Sequence, residues 1–364
     1  MATRSPLCLC APVRWNSKNP FPLFLCFFGI WLFFSSCAGS GKVAPEPGWV
    51  RDPYTVYSRQ LNVAVVGTGS SREVAEKSAL GNLVAFFGQS IRLDERVLVS
   101  YQQAVGSGII ANWADRTAVD TTIAVSAGMD SLVGAEIGDV WHNGKNEYYA
   151  VAVLNRARAT QVYSGMIRTN QAVIGNLVNL PDDERNTLEG YARYSFAAVI
   201  ADVTVSYRNL LSVIGMYADG SVQGLKSGDE YRLLAHDITR AIPVGISVQN
   251  DRSGRIAGAF AGALSGAGFI IGGTDSRYVL DATAALEPVE IAGNQNKFTR
   301  ITIKANLVDT SVGAVLLPFD FTSREGHLTQ AEADNRAYAA AERRINEEYA
   351  GLLTDYLARL APTR

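Results

Sequence analysis

Three consecutive segments in the last third of the chain alternate apolar and polar residues, and this pattern restricts the possible folds more than any other feature. The segments cover residues 278–290, 298–309 and 314–322. A period of two is typical of antiparallel strands that bury one face and leave the other in water. The buried face of such a sheet must be covered by other elements, and helical patterns precede and follow these strands. We therefore predict an α+β fold with helices packed on one side of the sheet.

The surrounding residues extend this sheet into a C-terminal α+β module, which we assign to residues 225–364. The sequence predicts a helix over 225–242 and a strand over 244–249. A second helix should end at Ala267, and residues 269–271 should return as a strand. The resulting element order is close to βαβββα, with a long helix after the last strand.

The starts of two helices in this module carry candidate capping residues. Asp251 or Ser253 should cap the helix that ends at Ala267. Thr329 and Glu332 have the spacing of a capping box, in which side chains and backbone amides at a helix start satisfy each other. We therefore expect the last helix to begin at this point.

A second α+β module is predicted over residues 49–158. Residues 61–66 are rich in β-branched side chains and predict a strand, and Gly67-Thr-Gly69 predicts a turn after it. Ser70 and Glu73 again have capping-box spacing. A core-packing helix should therefore follow the turn.

The end of this module has the pattern of a β-hairpin. Residues 137–142 and 147–154 are strand-like and flank Asn143-Gly144, a dipeptide that favours a two-residue type I′ turn. The second strand is apolar on both faces, which indicates a central position in its sheet. Residues 159–224 then carry helical patterns on both sides of Pro181 and predict a helical hairpin that joins the two modules.

The N-terminus has the pattern of a secretory signal. Arg4, Arg14 and Lys18 precede an apolar run over residues 21–34, and small residues follow it. This arrangement is typical of an export signal. A membrane-spanning helix needs about 20 apolar residues, so this run is short for a retained anchor.

Ser35, Ser36 and Cys37 directly after the apolar run resemble the lipobox of bacterial lipoproteins. The resemblance implies cleavage between Ser36 and Cys37 and a Cys37 that carries palmitate-type acyl chains. Phe34 departs from the leucine that is usual at its position, so a plain secretory signal and a retained anchor remain alternatives. We assign residues 1–36 to a signal peptide and the Pro- and Gly-rich residues 37–48 to a flexible tether.

Short motifs in the first module resemble the LPP20 family of bacterial lipoproteins. The opening motif matches Val65-Val-Gly67-Thr-Gly69, with Val65 in place of alanine. A later motif matches Tyr149-Ala-Val-Ala152, with Val151 in place of leucine, and follows a strand that contains Trp141. The resemblance implies an envelope lipoprotein of undefined biochemistry, and it offers no catalytic residues to transfer.

Several kinds of chemistry are not expected in this chain. Its four cysteines all lie within the first 37 residues, so the body has no disulfide framework, cysteine nucleophile or cysteine-based zinc site. The three histidines are about 90 residues apart, which disfavours a metal centre, and Gly67-Thr-Gly69 lacks the third glycine of a dinucleotide site. The net charge of −2 disfavours nucleic acid as a partner. We therefore predict no catalytic residues, no metal and no cofactor.

A stripe of glycines recurs every four residues in the predicted helix of the C-terminal module. Its members are Gly254, Gly258, Gly262 and Gly266. We interpret this glycine stripe first as a helix that packs tightly on the sheet through small residues. The alternatives are a face for self-association and a membrane-inserting segment, because small residues allow helix backbones to approach closely.

These observations predict a lipid-anchored protein of the bacterial cell envelope with a non-catalytic binding or scaffolding role. We expect it to be exported and anchored in the outer membrane, on the periplasmic or surface face. Its partners would be membrane lipid, through acylated Cys37, and an envelope protein or a second copy of the chain. One alternative is an envelope hydrolase with a carboxylate-based site. A second alternative is a membrane-active or oligomeric assembly component that uses the glycine stripe.

Overall fold

The computed structural model describes residues 44–88, 95–106, 110, 132–215 and 226–360. These residues belong to one compact unit. They form two β-sheets with a layer of helices, and the pairing within the sheets is antiparallel in one and mixed in the other. The predicted α+β fold class is therefore confirmed.

The first sheet has three antiparallel strands in the order β1–β3–β2. The strands are β1 (Asn62–Gly69), β2 (Ala135–His142) and β3 (Tyr148–Asn155). Strand β3 is central, as its apolar residues predict, because both of its edges are paired. Helix α1 (Arg72–Phe87) covers one face of this sheet.

The predicted turn at Gly67-Thr-Gly69 is wrong, because these residues continue β1 and pair with residues 148–150. A side chain at Gly67 would overlap the backbone of Ala79, so glycine permits the close approach of α1 to the strand. The longer strand moves the helix start by one residue. Ser71, rather than Ser70, caps α1 by accepting a hydrogen bond from the Val74 N–H.

The β2–β3 hairpin is present, but its connection is not the type I′ turn that Asn143-Gly144 predicts, since Asn143 lacks the positive φ that this turn requires. His142 pairs with Tyr148, which leaves five residues between the strands. The Asn143 side-chain oxygen accepts hydrogen bonds from the backbone N–H groups of Lys145 (2.8 Å) and Glu147 (3.3 Å). This side-chain bonding organises a wider loop, in which Gly144 has a φ of +76°.

A layer of helices packs around the long helix α4 (Leu188–Ile214). The layer contains α2 (Glu95–Gly106), α3 (Arg156–Val178) and α4, and α4 contacts both others. The predicted helix start at Pro181 forms only a one-turn helix over Asp182–Arg185. Thr187 caps the main helix instead, since its side chain accepts a hydrogen bond from the Gly190 N–H.

Helix α4 is a core helix of this layer. Among the described helices it alone has the length and apolar composition needed to cross a membrane. However, 61% of its apolar window is buried within the protein. Packing against neighbouring helices therefore accounts for its composition.

The second sheet has five strands in the order β5–β4–β6–β7–β8. The pairs β4–β5 and β4–β6 are parallel, whereas β6–β7 and β7–β8 are antiparallel. The strands are β4 (Val244–Gln249), β5 (Ile271–Gly272), β6 (Tyr278–Val289), β7 (Lys297–Asp309) and β8 (Ala314–His327). The helices of the same part of the chain are α5 (Gly228–Ala241), α6 (Arg255–Gly266), α7 (Gln330–Arg344) and α8 (Ala350–Leu360).

The alternating pattern predicts the burial in this sheet well. In β7 the buried Ile301, Ile303 and Leu307 alternate with exposed or half-buried neighbours. Strand β8 runs to His327, five residues beyond the predicted end. The strand predicted over residues 269–271 is shorter, since β5 has only two residues.

The ends and continuity of two helices differ from expectation. Gly254, in a left-handed conformation, occupies the N-cap of α6 in place of Asp251 or Ser253. Asp251 still contributes, because its carboxylate accepts a hydrogen bond from the Ala257 N–H at 2.9 Å. The predicted single last helix is interrupted by a π-helical turn over Ile345–Tyr349, which separates α7 from α8.

One continuous cluster of buried apolar side chains connects both sheets with the helical layer. A second, small cluster lies on the other face of the first sheet, where Trp49 covers Val151 and Val153. The chain segment just before β1 therefore packs on the sheet face that the helices leave open.

Candidate functional site

The predicted lipidation site lies outside the described residues. Ser36 and Cys37 belong to the segment before residue 44, so the cleavage and acylation of Cys37 remain predictions. Ala44 is the first described residue, seven positions after Cys37.

The glycine stripe faces solvent, which corrects the interpretation that it packs on the sheet. A side-chain carbon added at Gly254, Gly258 or Gly266 would meet open space. At Gly262 it would only touch the side chain of Asn346 at 3.8 Å. Helix α6 instead contacts the core through its apolar residues, which are Ile256, Ala259, Phe260, Ala263 and Leu264.

The titratable groups within the described ranges show no assembled reactive centre. These residues contain no group of three or more His, Cys, Asp and Glu side chains that could hold a metal ion. The pKa values of Glu46 and Glu73 are lowered by hydrogen bonds from Arg51 and Lys77. A general acid needs a raised pKa, so these two carboxylates are ordinary members of surface ion pairs.

Asp309 is the most buried of these carboxylates. Burial raises its pKa, but hydrogen bonds from Arg277 and Ser311 outweigh burial and leave the pKa below the usual value. The Arg277 guanidinium lies 2.9 Å from the carboxylate. Asp309 therefore ties the end of β7 to the start of β6, and its geometry indicates a structural role.

The described residues form a cleft of about 500 Å³ between α2, α4 and α8. Its volume falls in the range of about 300–1,000 Å³ that is typical of small-molecule sites. Phe196 and Val199 of α4 and Leu357 of α8 supply its apolar surface. A site lined in this way suits the hydrocarbon part of a ligand.

Small residues create the space of this cleft. Ala104 on α2, Ala192 on α4 and Ala358 on α8 occupy positions where larger side chains would fill the gap, and Ala267 after α6 closes one side. The helices α2, α4 and α8 are far apart in the sequence. Sequence reasoning missed the cleft for this reason, and the only signal was the presence of alanine and serine on the packing faces of amphipathic helices.

The polar groups of the cleft are hydroxyls, an amide and one cation. Ser195 and Thr354 are among the hydroxyls, and the exposed Arg359 is the cation. The Arg359 Nε donates to the backbone oxygen of Asp355 at 3.2 Å, which holds its stem along α8. Among the described residues the lining has no carboxylate and no histidine, so this part of the cleft offers a binding surface without a general base.

A buried polar network positions the α2 wall of the cleft. The Tyr101 hydroxyl on α2 donates to the Asn170 side-chain oxygen at 2.9 Å, and the Asn170 amide donates to the Thr204 hydroxyl at 3.1 Å. Burial raises the pKa of Tyr101, so its hydroxyl stays protonated and remains a donor. The network joins α2 to both α3 and α4. It thereby holds Ser100 and Ala104, which lie on either side of Tyr101 in the sequence, in the wall of the cleft.

Comparison with known proteins finds only distant structural likenesses. The chain matches no family model, and no curated protein sequence is similar to it. A secreted protein from Helicobacter pylori is 14% identical over 79% of this chain and 98% of its own, with a TM-score of 0.39.

Two smaller structures match about a third of the chain. A minor lipoprotein from Acinetobacter baumannii is 14% identical over 32% of this chain and 91% of its own, with a TM-score of 0.24. A lipoprotein from Neisseria meningitidis is 17% identical over 29% of this chain and 100% of its own, with a TM-score of 0.20. At these values the likenesses carry no argument about function, and the resemblance to the LPP20 family remains a prediction.

Proposed function

We propose that this protein is a non-catalytic, lipid-anchored lipoprotein of the cell envelope that binds a single-chain amphiphile in the cleft between α2, α4 and α8. The observation that carries this proposal is the cleft itself. Its volume of about 500 Å³, its apolar surface and the absence of carboxylates and histidines from its described lining favour binding over chemistry.

The proposed location follows from the N-terminal sequence. The apolar run over residues 21–34 and the lipobox-like Ser35, Ser36 and Cys37 support export and acylation. Stable anchoring requires more than one acyl chain, and a triacylated Cys37 meets this requirement. The outer membrane is the proposed site of anchoring.

The lining of the cleft favours an amphiphile with an anionic head. Phe196, Val199 and Leu357 would contact an aliphatic tail, and each buried methylene would contribute about 0.8 kcal/mol. Ten methylenes would thus offset the several kcal/mol that association costs. Arg359 lies at the surface and offers a cation to a carboxylate or phosphate head group.

The proposal can be tested with a fatty acid that carries an environment-sensitive fluorophore. Titration of the purified protein should give saturable fluorescence enhancement that an unlabelled long-chain fatty acid competes away. Ala358→Trp should reduce the affinity at least tenfold because the indole would fill the cleft. Ala339→Trp is the matched control, since Ala339 is an exposed helical alanine outside the cleft.

The role of the cation has a separate test. Arg359→Gln should weaken binding of the fatty acid several-fold while leaving binding of the corresponding long-chain alcohol unchanged. Equal affinity of the wild-type protein, Ala358→Trp and Ala339→Trp for the probe would overturn the assignment of this cleft.

A further inference from the structure

The first described residues are hydrogen-bonded to the hairpin end of the first sheet. The Trp141 indole N–H, on the last rungs of β2, donates to the backbone oxygen of Ala44 at 3.0 Å. The Trp49 indole N–H donates to the Asp139 carboxylate at 3.1 Å, and the Trp49 ring is buried. Ala44 therefore lies beside the β2–β3 loop.

The length of chain before this point limits how far the hairpin end can be from the anchor. Cys37 and Ala44 are seven residues apart in the sequence. A fully extended chain spans at most about 3.6 Å per residue, which gives about 25 Å. If Cys37 is acylated, as the proposed function holds, Trp141 must lie within roughly this distance of the bilayer interface.

The hairpin end carries aromatic side chains on both faces. Trp141 and Tyr149 have ring centroids 5.4 Å apart, and His142 and Tyr148 have ring centroids 4.3 Å apart. Successive residues of a strand point to opposite faces, so the two pairs lie on different sides of the sheet. All four rings are only partly buried. Tryptophan and tyrosine are enriched at membrane–water interfaces because one part of each ring is apolar and the other is polar.

The opposite end of this sheet is occupied by the rest of the protein. Strand β3 continues directly into α3 at Arg156, whose guanidinium donates to the backbone oxygens of Arg59 and Ile214. At the hairpin end, β1 ends at Gly69 opposite Tyr148, and the chain turns back into α1, which covers one face of the sheet. The four aromatic rings and the first described residues of the chain lie together at this end.

We propose that the end of the β2–β3 hairpin rests in the head-group layer of the bilayer that holds acylated Cys37. The aromatic collar, formed by Trp141, His142, Tyr148 and Tyr149, contacts the interface, and the exposed Lys145 at the loop projects into the head groups. Glu147 offsets the charge of Lys145, so the contact does not depend on anionic lipid.

The sequence makes a direct test simple, because no cysteine follows Cys37. In the mature lipoprotein the Cys37 sulfur is a thioether, and Lys145→Cys then supplies the single reactive thiol. The variant would be labelled with an environment-sensitive dye and reconstituted into phosphatidylcholine vesicles that contain a lipid spin-labelled at its head group.

Leu61→Cys is the matched control. Leu61 is 59% exposed and directly precedes β1 at the opposite end of the same sheet. The two ends of β1 are seven residue steps apart, or about 23 Å at 3.3 Å per residue. We expect the dye at position 145 to be quenched several-fold more strongly than the dye at position 61, in vesicles with or without anionic lipid.

Flotation of the same samples separates the two ways in which the idea can fail. Protein that does not float with the vesicles contradicts the anchor and, with it, this inference. Protein that floats but shows equal quenching at positions 145 and 61 leaves the anchor intact and overturns the placement of the hairpin.

A lengthened tether tests the contribution of the aromatic collar. Insertion of 20 Gly/Ser residues after Lys42 allows the body to move several tens of Å from the bilayer. Strong quenching at position 145 should persist in this variant and fall when Tyr148→Ser is added. Loss of quenching on insertion alone would show that tether length, rather than the collar, holds the hairpin near the membrane.

Discussion

At the scale of single residues, Tyr349 shows how a buried polar atom can reduce stability. Its ring is completely buried and makes edge-on contacts with Phe260 (5.0 Å between ring centroids) and Phe319 (5.6 Å). Within the described ranges its hydroxyl has no hydrogen-bond partner. Burial raises the pKa of this phenol well above its usual value, so the group stays neutral.

Removal of this hydroxyl should therefore stabilise the protein. Tyr349→Phe keeps the aromatic contacts and relieves the desolvation of an unpaired polar atom, which costs about 1–3 kcal/mol. We expect the free energy of unfolding in urea to rise by about 1 kcal/mol. Tyr349→Ala is the contrasting change and should lower it by about 3–5 kcal/mol, because it leaves a cavity. A destabilised Tyr349→Phe protein would mean that the hydroxyl is satisfied.

The Arg255 side chain makes a second residue-scale prediction. Its guanidinium forms two parallel hydrogen bonds to Glu342 (2.6 and 2.7 Å) and a third to Asn335 (2.7 Å), which join α6 to α7. Lysine cannot reproduce this planar fork. Arg255→Lys should lower the free energy of unfolding by about 1 kcal/mol, since the pair is only partly exposed. The control Arg51→Lys affects a pair whose arginine is 82% exposed, and it should leave the urea midpoint unchanged.

At the scale of elements, the contact between β1 and α1 depends on Gly67. A side-chain carbon at this position would overlap the Ala79 backbone, which cannot move without displacing α1. Gly67→Ala should therefore cost about 1–3 kcal/mol or more, as other overpacked positions do. Gly81→Ala, in α1 itself, meets open space and should stabilise the helix by about 0.5–1 kcal/mol. Thermal unfolding of both variants checks the two opposite signs.

The tyrosines between α2, α3 and α4 give the protein a predictable response to alkaline pH. Burial raises the pKa of Tyr163 to about 12, although the hydrogen bond from the Val133 N–H acts in the opposite direction. Burial also raises the pKa values of Tyr101 and Tyr207. In the unfolded chain these phenols lose their protons near pH 10. Above that pH the unfolded state binds fewer protons than the folded state, so stability must fall as the pH rises.

Each such tyrosine should contribute a loss of about 1.4 kcal/mol per pH unit between pH 10 and its folded-state pKa. For Tyr163 this window is pH 10–12. Urea unfolding at pH 8, 10, 11 and 12 should show a steady fall above pH 10. Tyr163→Phe should make this fall shallower, even though it loses the hydrogen bond with Val133 and is less stable at pH 8. An unchanged slope in Tyr163→Phe would contradict the assignment.

Much of the element scale could be predicted from the sequence, for a physical reason. The alternation in β6–β8 records which side chains are buried, and burial is a local requirement of each strand. The exact ends of the strands and helices could not be predicted, because they depend on contacts with other elements of the fold. At Gly67 the predicted turn is strand, and α1 packs closely against it. At Asn143 the side chain accepts backbone hydrogen bonds that organise a wider loop in place of the predicted tight turn. The glycine stripe was misinterpreted because spacing alone does not tell which helix face meets the core.

At the scale of the whole molecule, the cleft could not be predicted from the sequence. Its walls come from α2, α4 and α8, which are brought together only by tertiary packing. Ala104, Ala192 and Ala358 are ordinary helix residues when each segment is considered alone. The space appears only because all three face the same gap, and no local pattern encodes that coincidence.

The continuous core also bears on the predicted division of the chain at residues 158 and 224. Helix α4 contacts α2 and α3 on the N-terminal side and α5 and α8 on the C-terminal side. The Leu188 N–H at its start donates to the Tyr278 hydroxyl of the second sheet at 3.3 Å. Buried apolar side chains form one cluster across these contacts. We therefore expect residues 49–360 to unfold as one cooperative unit rather than as separate domains.

The positions of the tryptophans allow a sharp test of this expectation. After the predicted signal peptide, the chain has tryptophan only at positions 49, 113 and 141, so its fluorescence reports on the N-terminal module. Tyr349→Ala damages the far C-terminal part of the core. If the core unfolds as a unit, this variant should lower the fluorescence-monitored urea midpoint as much as the midpoint from circular dichroism. Leu328→Ala, at a side chain that is 74% exposed, should shift neither. A fluorescence midpoint that Tyr349→Ala leaves in place would instead show that the N-terminal module unfolds independently.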